Sequence, residues 1–253
     1  MTNFNFGNGP VAAHQHPNGR GWVADTATVL ETVYVGLYAR VYGNARVYGN
    51  AQVCDNARVY GDACVYGNAQ VFDNAWVYGN AQVCDNARVY GNARVYGNAR
   101  VFDKAQVFDS AWVFGDAQVF DNAWVYGDAW VYGDACVYGN AQVFDNAWVY
   151  GDARVFGNAQ VFDNAQVYGK ACVKRGQYTS TPTSISRSDS YTFTLQSDGS
   201  VVAGCRDFTP EQADAHWGEP SHYMHDESWA IIQALRSVSA ARAKVMEGAN
   251  KTH

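Results

Sequence analysis

The sequence predicts a mainly β protein: a triangular parallel β-helix over residues 23–173, followed by a small C-terminal α+β module. Three observations predict it. Val recurs at every sixth position from Val23 to Val173, and from Val41 to Cys172 the chain is 22 unbroken six-residue phrases. Within those phrases, residue types repeat best at eighteen, which is three phrases. After residue 173 the phrase stops and ordinary strand and helix patterns take over.

Each phrase, as in "NARVYGNARVFD" (residues 92–103), has a fixed grammar. Ala comes first, then a variable residue, Val, an aromatic or Cys, Gly or Asp, and usually Asn or Asp. A period of six is neither that of a helix nor that of a simple alternating strand. Ala-x-Val is nonetheless a short alternation that points Ala and Val inward. "GN", "DN" and "GD" are turn signals. Each hexad therefore reads as a strand of three or four residues and a two-residue corner, where Gly and Asn tolerate positive φ.

Sorting the hexads into three interleaved sets gives the coil. One set has only Gly at its corners (Gly43, Gly61, Gly79, Gly97, Gly115, Gly133, Gly151, Gly169), whereas the others mix Gly with Asp. Trp76, Trp112, Trp130 and Trp148 are separated by multiples of eighteen. Three hexads close one turn, and turns stacked at the strand spacing of about 4.8 Å build a prism about 40 Å long. A single turn buries too little to fold alone, so stacking must stabilise it.

Residues 1–22 read as an N-terminal cap, with Trp22 as a lid on the open end of the prism; an uncapped end would expose strand edges. Residues 174–190, "KRGQYTSTPTSISRSDS", read as a Ser/Thr-rich linker. In the module, residues 191–253, Tyr191, Phe193 and Leu195 alternate before a turn at Ser197–Ser200, which predicts a β-hairpin. Thr209, Pro210 and Gln212 spell an N-cap, a first helical position and a capping box. A longer helix is expected from near Asp226, with Ile231, Leu235, Val238, Arg242 and Val245 on one face.

Composition excludes several classes. A formal charge of −6 argues against nucleic acid as a partner. No apolar run approaches membrane-spanning length, so no membrane insertion is expected. The opening residues contain neither a basic nor an apolar signal region, so no secretion signal is expected there. The six Cys (Cys54, Cys64, Cys84, Cys136, Cys172, Cys205) form no CxxC pair and read as reduced thiols of a cytosolic protein.

The candidate site is on the outside of the prism. One column reads Tyr42, Tyr60, Tyr78, Tyr96, Phe114, Tyr132, Tyr150, Tyr168; beside it runs Arg40, Arg58, Trp76, Arg94, Trp112, Trp130, Trp148, Gln166. Two readings stand together. The rings and guanidinium groups hold the coils to one another, or the stripe is a contact surface, self-association being the commonest use. A carbohydrate-binding platform stays open. Ice binding is discarded because no Thr lies between Thr32 and Thr179, and DNA mimicry fits poorly with Arg46, Arg88, Arg100 and Arg154. His216, His222 and His225, near Glu219 and Asp226, match no zinc spacing. They read as a polar loop between two helices, with no metal and no cofactor expected, and Glu211 with His216 is a weak acid/base pair.

"AQVFDNAWVYGDARVFGNAQ" (residues 141–160) resembles the hexapeptide-repeat left-handed β-helix family, over roughly residues 23–173. The resemblance implies left-handed winding and, in many relatives, trimers. Family enzymes use a His on the coils and usually an inserted loop; here no His lies between His16 and His216 and no insertion breaks the register, so no enzyme activity is expected in the prism. The pairing of these repeats with "AGCRDFTPEQADAHWG" (residues 203–218) is similar to accessory proteins of tailed bacteriophages and prophages. That implies a non-enzymatic host-takeover or counter-defence protein in the cytoplasm of the infected bacterial host. It would be a dimer or trimer built on the aromatic face, with a host protein engaged by the module. The alternatives are a sugar or sugar-nucleotide binding protein, an acyltransferase-like enzyme, and a virion fibre segment.

Overall fold

The computed structural model describes residues 2–204 and 206–249. Cys205 and the side chain of Val245 lie outside the described residues. The repeats wind into a parallel β-solenoid of about nine turns. Every strand pairs with the one eighteen residues away, for example Arg58 with Trp76 and Val59 with Val77. From Arg40 to Val149 the ladder covers only the variable residue and Val of each hexad, as in Arg94–Val95, so the strands there are two residues long; Arg154–Val161, near the C-terminal end of the prism, is longer. The preceding Ala still points inward: from Ala39 to Val167 each repeat Ala and Val is fully buried. Small and medium side chains alternate because three short sides enclose a narrow interior, from which these side chains exclude solvent.

Backbone groups are satisfied between coils. The Arg58 N–H donates to Ala75 O (2.9 Å) and the Tyr60 N–H to Val77 O (3.0 Å). Corners need a left-handed residue: Gly97 has φ 71°, and a Cβ there would stand 3.0 Å from Gly115 N. Asp73 holds φ 57° instead, and its carboxylate accepts the Gly91 N–H at 3.1 Å. Asp121 does the same for Gly139 at 3.0 Å. That bond explains how Asp can stand in place of Gly at these corners. Beside them, amides chain the coils, as where Asn80 Nδ2 donates to Asn98 Oδ1 and Asn98 Nδ2 to Asp116 Oδ1.

The N-terminal end departs from expectation. Trp22 is not a lid: it sits on the outer face, paired with Arg40 in the ladder, and stacks on Phe4 at 4.4 Å. Asn3–Asn5 and Pro10–Gln15 form an antiparallel hairpin that extends this same face. Residues 16–21 close the end instead. His16 is buried there with its ring nitrogens on Asn18 O and Leu30 O, and the Gly21 N–H donates to Val35 O. Gly19 and Gly21 press so closely on Val35 and Gly36 that a Cβ on either would overlap backbone.

The segment read as a linker is ordered. Cys172–Tyr178 continues the last coil, one residue short, so that Val161 pairs with Tyr178. The buried Tyr178 ring takes the place a Val would hold. Ser184–Ser186 is the first strand of a four-stranded antiparallel sheet, followed by Thr192–Leu195, Val201–Ala203 and Arg206–Phe208. Phe193, Leu195, Val201 and Ala203 pack on two helices, α1 (Pro210–Trp217) and α2 (His225–Ala249), through Ala213, Trp217, Ile231, Ile232 and Leu235. The Thr209 capping box is formed on both sides, by Gln212 N–H and by the Gln212 side chain. Arg242 is exposed rather than part of the apolar face, and bonds Thr183 Oγ1 at 2.8 Å.

The sheet's other face covers the last coil. Thr194 Oγ1 accepts the Cys172 N–H (3.0 Å) and Gln196 Oε1 the Lys174 N–H (2.8 Å). Side chains thus stand where a further coil would have paired, which deals with the exposed-edge problem of any open β-stack. Among the described residues, no helix is long and apolar enough to cross a membrane.

Candidate functional site

The period of eighteen brings the sequence-predicted face together as two adjacent ladders. In the first, Tyr42, Tyr60, Tyr78, Tyr96, Phe114, Tyr132 and Tyr150 stack nearly parallel, with centroids 4.8–5.1 Å apart between neighbours. Phe6 from the N-terminal hairpin continues it above Tyr42 at 4.9 Å, and Tyr168 ends it at 5.4 Å from Tyr150. In the second, Arg58 lies over Trp76, and Arg94 lies between Trp76 and Trp112 at 4.9 and 4.8 Å. Trp112, Trp130 and Trp148 then stack on one another at 5.0 and 5.5 Å. Arg40 lies over Phe4. The ladders lock edge to face, as with Phe114 on Trp130 at 6.0 Å.

Burial raises the pKa of Tyr42, Tyr60, Tyr78, Tyr96 and Tyr132. Tyr60 is pushed up to about 12, by desolvation first and then by Tyr42 and Tyr78 on either side.

Aromatic stacking is not confined to this face. Phe72, Tyr90, Phe108, Tyr126, Phe144 and Phe162 form a ladder on a second side, and Phe102, Phe120, Tyr138 and Phe156 one on the third. The aromatic position of every hexad was the signal for them. Ring stacking therefore serves cohesion on all three sides. What distinguishes the first is its Trp and Arg column.

The stacking also decides what the face can bind. A sugar lies against the flat of a ring, but along these ladders the flats are covered by the rings or guanidinium groups above and below, except at the last rings, Trp148, whose next ladder neighbour is Gln166, and Tyr168. Edges face outward. Tyr168, half exposed with its ring stacked on Tyr150 on one side, is where the Tyr ladder ends. It borders a cleft of about 300 Å³ with Gln166, Thr181 and Thr183.

The three module histidines separate. His216, in the last turn of α1, and His222, in the following loop, bring their Nε2 atoms to 3.1 Å. His225 Nδ1 turns instead to Asp226 Oδ1 at 2.9 Å. Glu211 accepts from Thr209 Oγ1 at 2.9 Å, so it serves the helix cap. Desolvation, then His222 and Arg206, lowers the pKa of His216. Among the described residues, no group of three or more His, Cys, Asp or Glu is placed to hold a metal ion.

A family described as the YdcK beta solenoid repeat matches residues 39–52, 51–67, 69–85, 81–95, 93–113, 117–133 and 147–162. These segments lie wholly within the prism and together make up less than half of the chain. They agree with a repeat-built β-solenoid, an architecture consistent with a structural or binding role. No curated protein and no solved structure matches the chain.

Proposed function

We propose that this chain is a non-catalytic binding scaffold that works through protein–protein contacts. The prism self-associates through its Trp/Arg/Tyr face, and the C-terminal module offers a surface to a host protein. The likeness of the repeats and tail to phage and prophage accessory proteins adds the setting: a host-takeover or counter-defence role inside an infected bacterium.

One observation carries the reading. Trp112, Trp130 and Trp148 form a stacked run beside Phe114, Tyr132 and Tyr150, with Trp148 still 38% exposed. Trp, Tyr and Arg are the residues that dominate protein interface energetics. These rings are already immobilised by stacking, so burying their edges costs little side-chain entropy. The covered ring flats along the ladders, from Tyr42 to Trp130, favour a protein over a glycan on this face. On the module, Tyr223 is 71% exposed and lies near the Arg187 guanidinium, a second aromatic contact point.

Sedimentation velocity over a range of concentrations tests the self-association. Trp130→Arg with Trp148→Arg is the informative variant, because the column already accommodates Arg94 against Trp neighbours. A dimer or trimer that becomes monomeric in the variant supports the reading. A wild-type monomer at every concentration, or an oligomer the variant leaves intact, overturns it. For the module, a tagged full chain expressed in a bacterial host should retain one partner that Tyr223→Ser releases.

A further inference from the structure

We propose that His216 and His222 form an open, two-ligand site for a late first-row divalent cation, Zn²⁺ or Ni²⁺, on the C-terminal module. It is independent of the binding face on the prism. The spacing of these histidines matches no metal signature, and only the fold brings them together.

The geometry is that of neighbouring ligands on one ion. The Nε2 atoms are 3.1 Å apart, while the ring centroids are only 4.4 Å apart with planes at 70°. The rings therefore converge obliquely, and in the metal-free chain one Nε2–H bridges the two nitrogens. Two nitrogens bound to one Zn²⁺ at about 2.0–2.1 Å stand about 3.0–3.4 Å from each other at neighbouring coordination positions.

Protonation supports the same assignment. His222 Nδ1 lies 3.0 Å from Tyr223 O and donates its hydrogen there, which leaves Nε2 unprotonated, with a lone pair turned towards His216. A ring N–H held by a backbone carbonyl is the usual outer support of a metal-ligating histidine. His216 then carries its hydrogen on Nε2 in the metal-free state. Binding moves that hydrogen to Nδ1, so the ion is taken up by two neutral imidazoles.

The rings are also held in place. Phe208 stacks on His216 at 5.2 Å, and Trp217 meets it edge to face at 4.8 Å. Imidazole ligands select Zn²⁺, Ni²⁺ and Cu²⁺ over Mg²⁺ and Ca²⁺. Two protein ligands leave the other coordination positions to water or a bound anion. His216 borders a cleft of about 760 Å³ that Arg206, Lys174 and Gln212 also line. Lys174 is paired there with Asp207, which also lines the cleft, at 3.1 Å, and Arg206 adds positive charge that favours an ion carrying an anionic ligand in its open positions.

The test uses the full chain without a polyhistidine tag, titrated with zinc chloride by calorimetry, with cobalt chloride and its visible absorption as a second probe. One equivalent should bind, at least tenfold more weakly in His216→Gln and in His222→Gln, and unchanged in His225→Gln. No saturable binding, or undiminished binding in the His216→Gln/His222→Gln double variant, overturns the proposal. Should the variants fold poorly, imidazole ¹⁵N shifts of the wild-type protein decide. On adding Zn²⁺, those of His216 and His222 should move while those of His14 and His16 stay; static His216 and His222 shifts overturn it.

Discussion

Gln196 stands in for the missing coil above Cys172: its Nε2 donates to Cys172 O at 2.8 Å, while its Oε1 takes the Lys174 N–H at 2.8 Å. The Tyr178 hydroxyl donates to the same Oε1 at 3.1 Å. One buried side chain thus imitates both halves of a strand ladder. The solenoid ends here because these groups already have partners.

Gln196→Leu should leave those two backbone groups unsatisfied. A loss of about 1–3 kcal/mol is expected for each orphaned buried group. Thermal unfolding followed by circular dichroism measures it, and light scattering should reveal concentration-dependent end-to-end association. A variant as stable and as dispersed as the wild type would mean that the cap does not depend on Gln196.

The corner carboxylates should be replaceable only by residues that tolerate φ > 0. Asp73, at φ 57°, should accept Gly or Asn with a loss near 1 kcal/mol or less, whereas Asp73→Val should cost about 2 kcal/mol or more. Denaturant unfolding of the three variants gives the order directly.

Arg94 should couple to both of its rings. Each cation–π contact at a partly exposed site is worth about 0.5–1 kcal/mol. In a double-mutant cycle, Arg94→Gln and Trp112→Leu should show a coupling of that size. A coupling of zero would reduce the Arg to a bystander.

Alkali should destabilise the protein through its tyrosines. Tyr60, Tyr66 and Tyr178 are pushed up to about 12; burial leads for Tyr60 and Tyr178, and the hydrogen bond with Cys84 leads for Tyr66. Their unfolded value is about 10. Between these values the folded chain keeps protons that the unfolded chain releases. Stability is therefore full below about pH 10 and falls as pH rises towards 12. Absorbance titration of tyrosinate, native against denaturant-unfolded, should show the late ionisation. Coincident curves would disprove it.

Thiol reactivity should follow burial in the same way. Cys84 is 4% exposed and its pKa is raised to about 11, by desolvation first and also by Asp85. Its thiolate is scarce at neutral pH, so among the described cysteines it should alkylate last. Peptide mass spectrometry after timed iodoacetamide labelling checks the order.

The repeat made much of this legible in advance. A strict period of eighteen places Arg94 under Trp76 and Tyr96 under Tyr78 without any knowledge of a distant contact, because each coil pairs only with its neighbours. The Thr209 cap was equally readable, since its partners lie within three residues. Two local readings failed for want of context. Trp22 has the size for a lid, but its register puts it in the Arg40 column. The residues after Val173 look like a linker by composition, yet Arg175 to Tyr178 still find ladder partners in Asn158 to Val161.

What the sequence by itself determined is the prism: inward Val and Ala, left-handed corners, and columns of outward residues, all set by interactions between residues a fixed eighteen apart. Only the tertiary structure decided how the prism ends and what lies beside it. The meeting of Gln196 with Cys172 and of His216 with His222 depends on how the module's sheet and helices pack. The stacking that covers the ring flats, and so turns their edges outward, is likewise a matter of side-chain orientation. Such contacts follow from packing rather than from periodicity, so no spacing along the chain announces them.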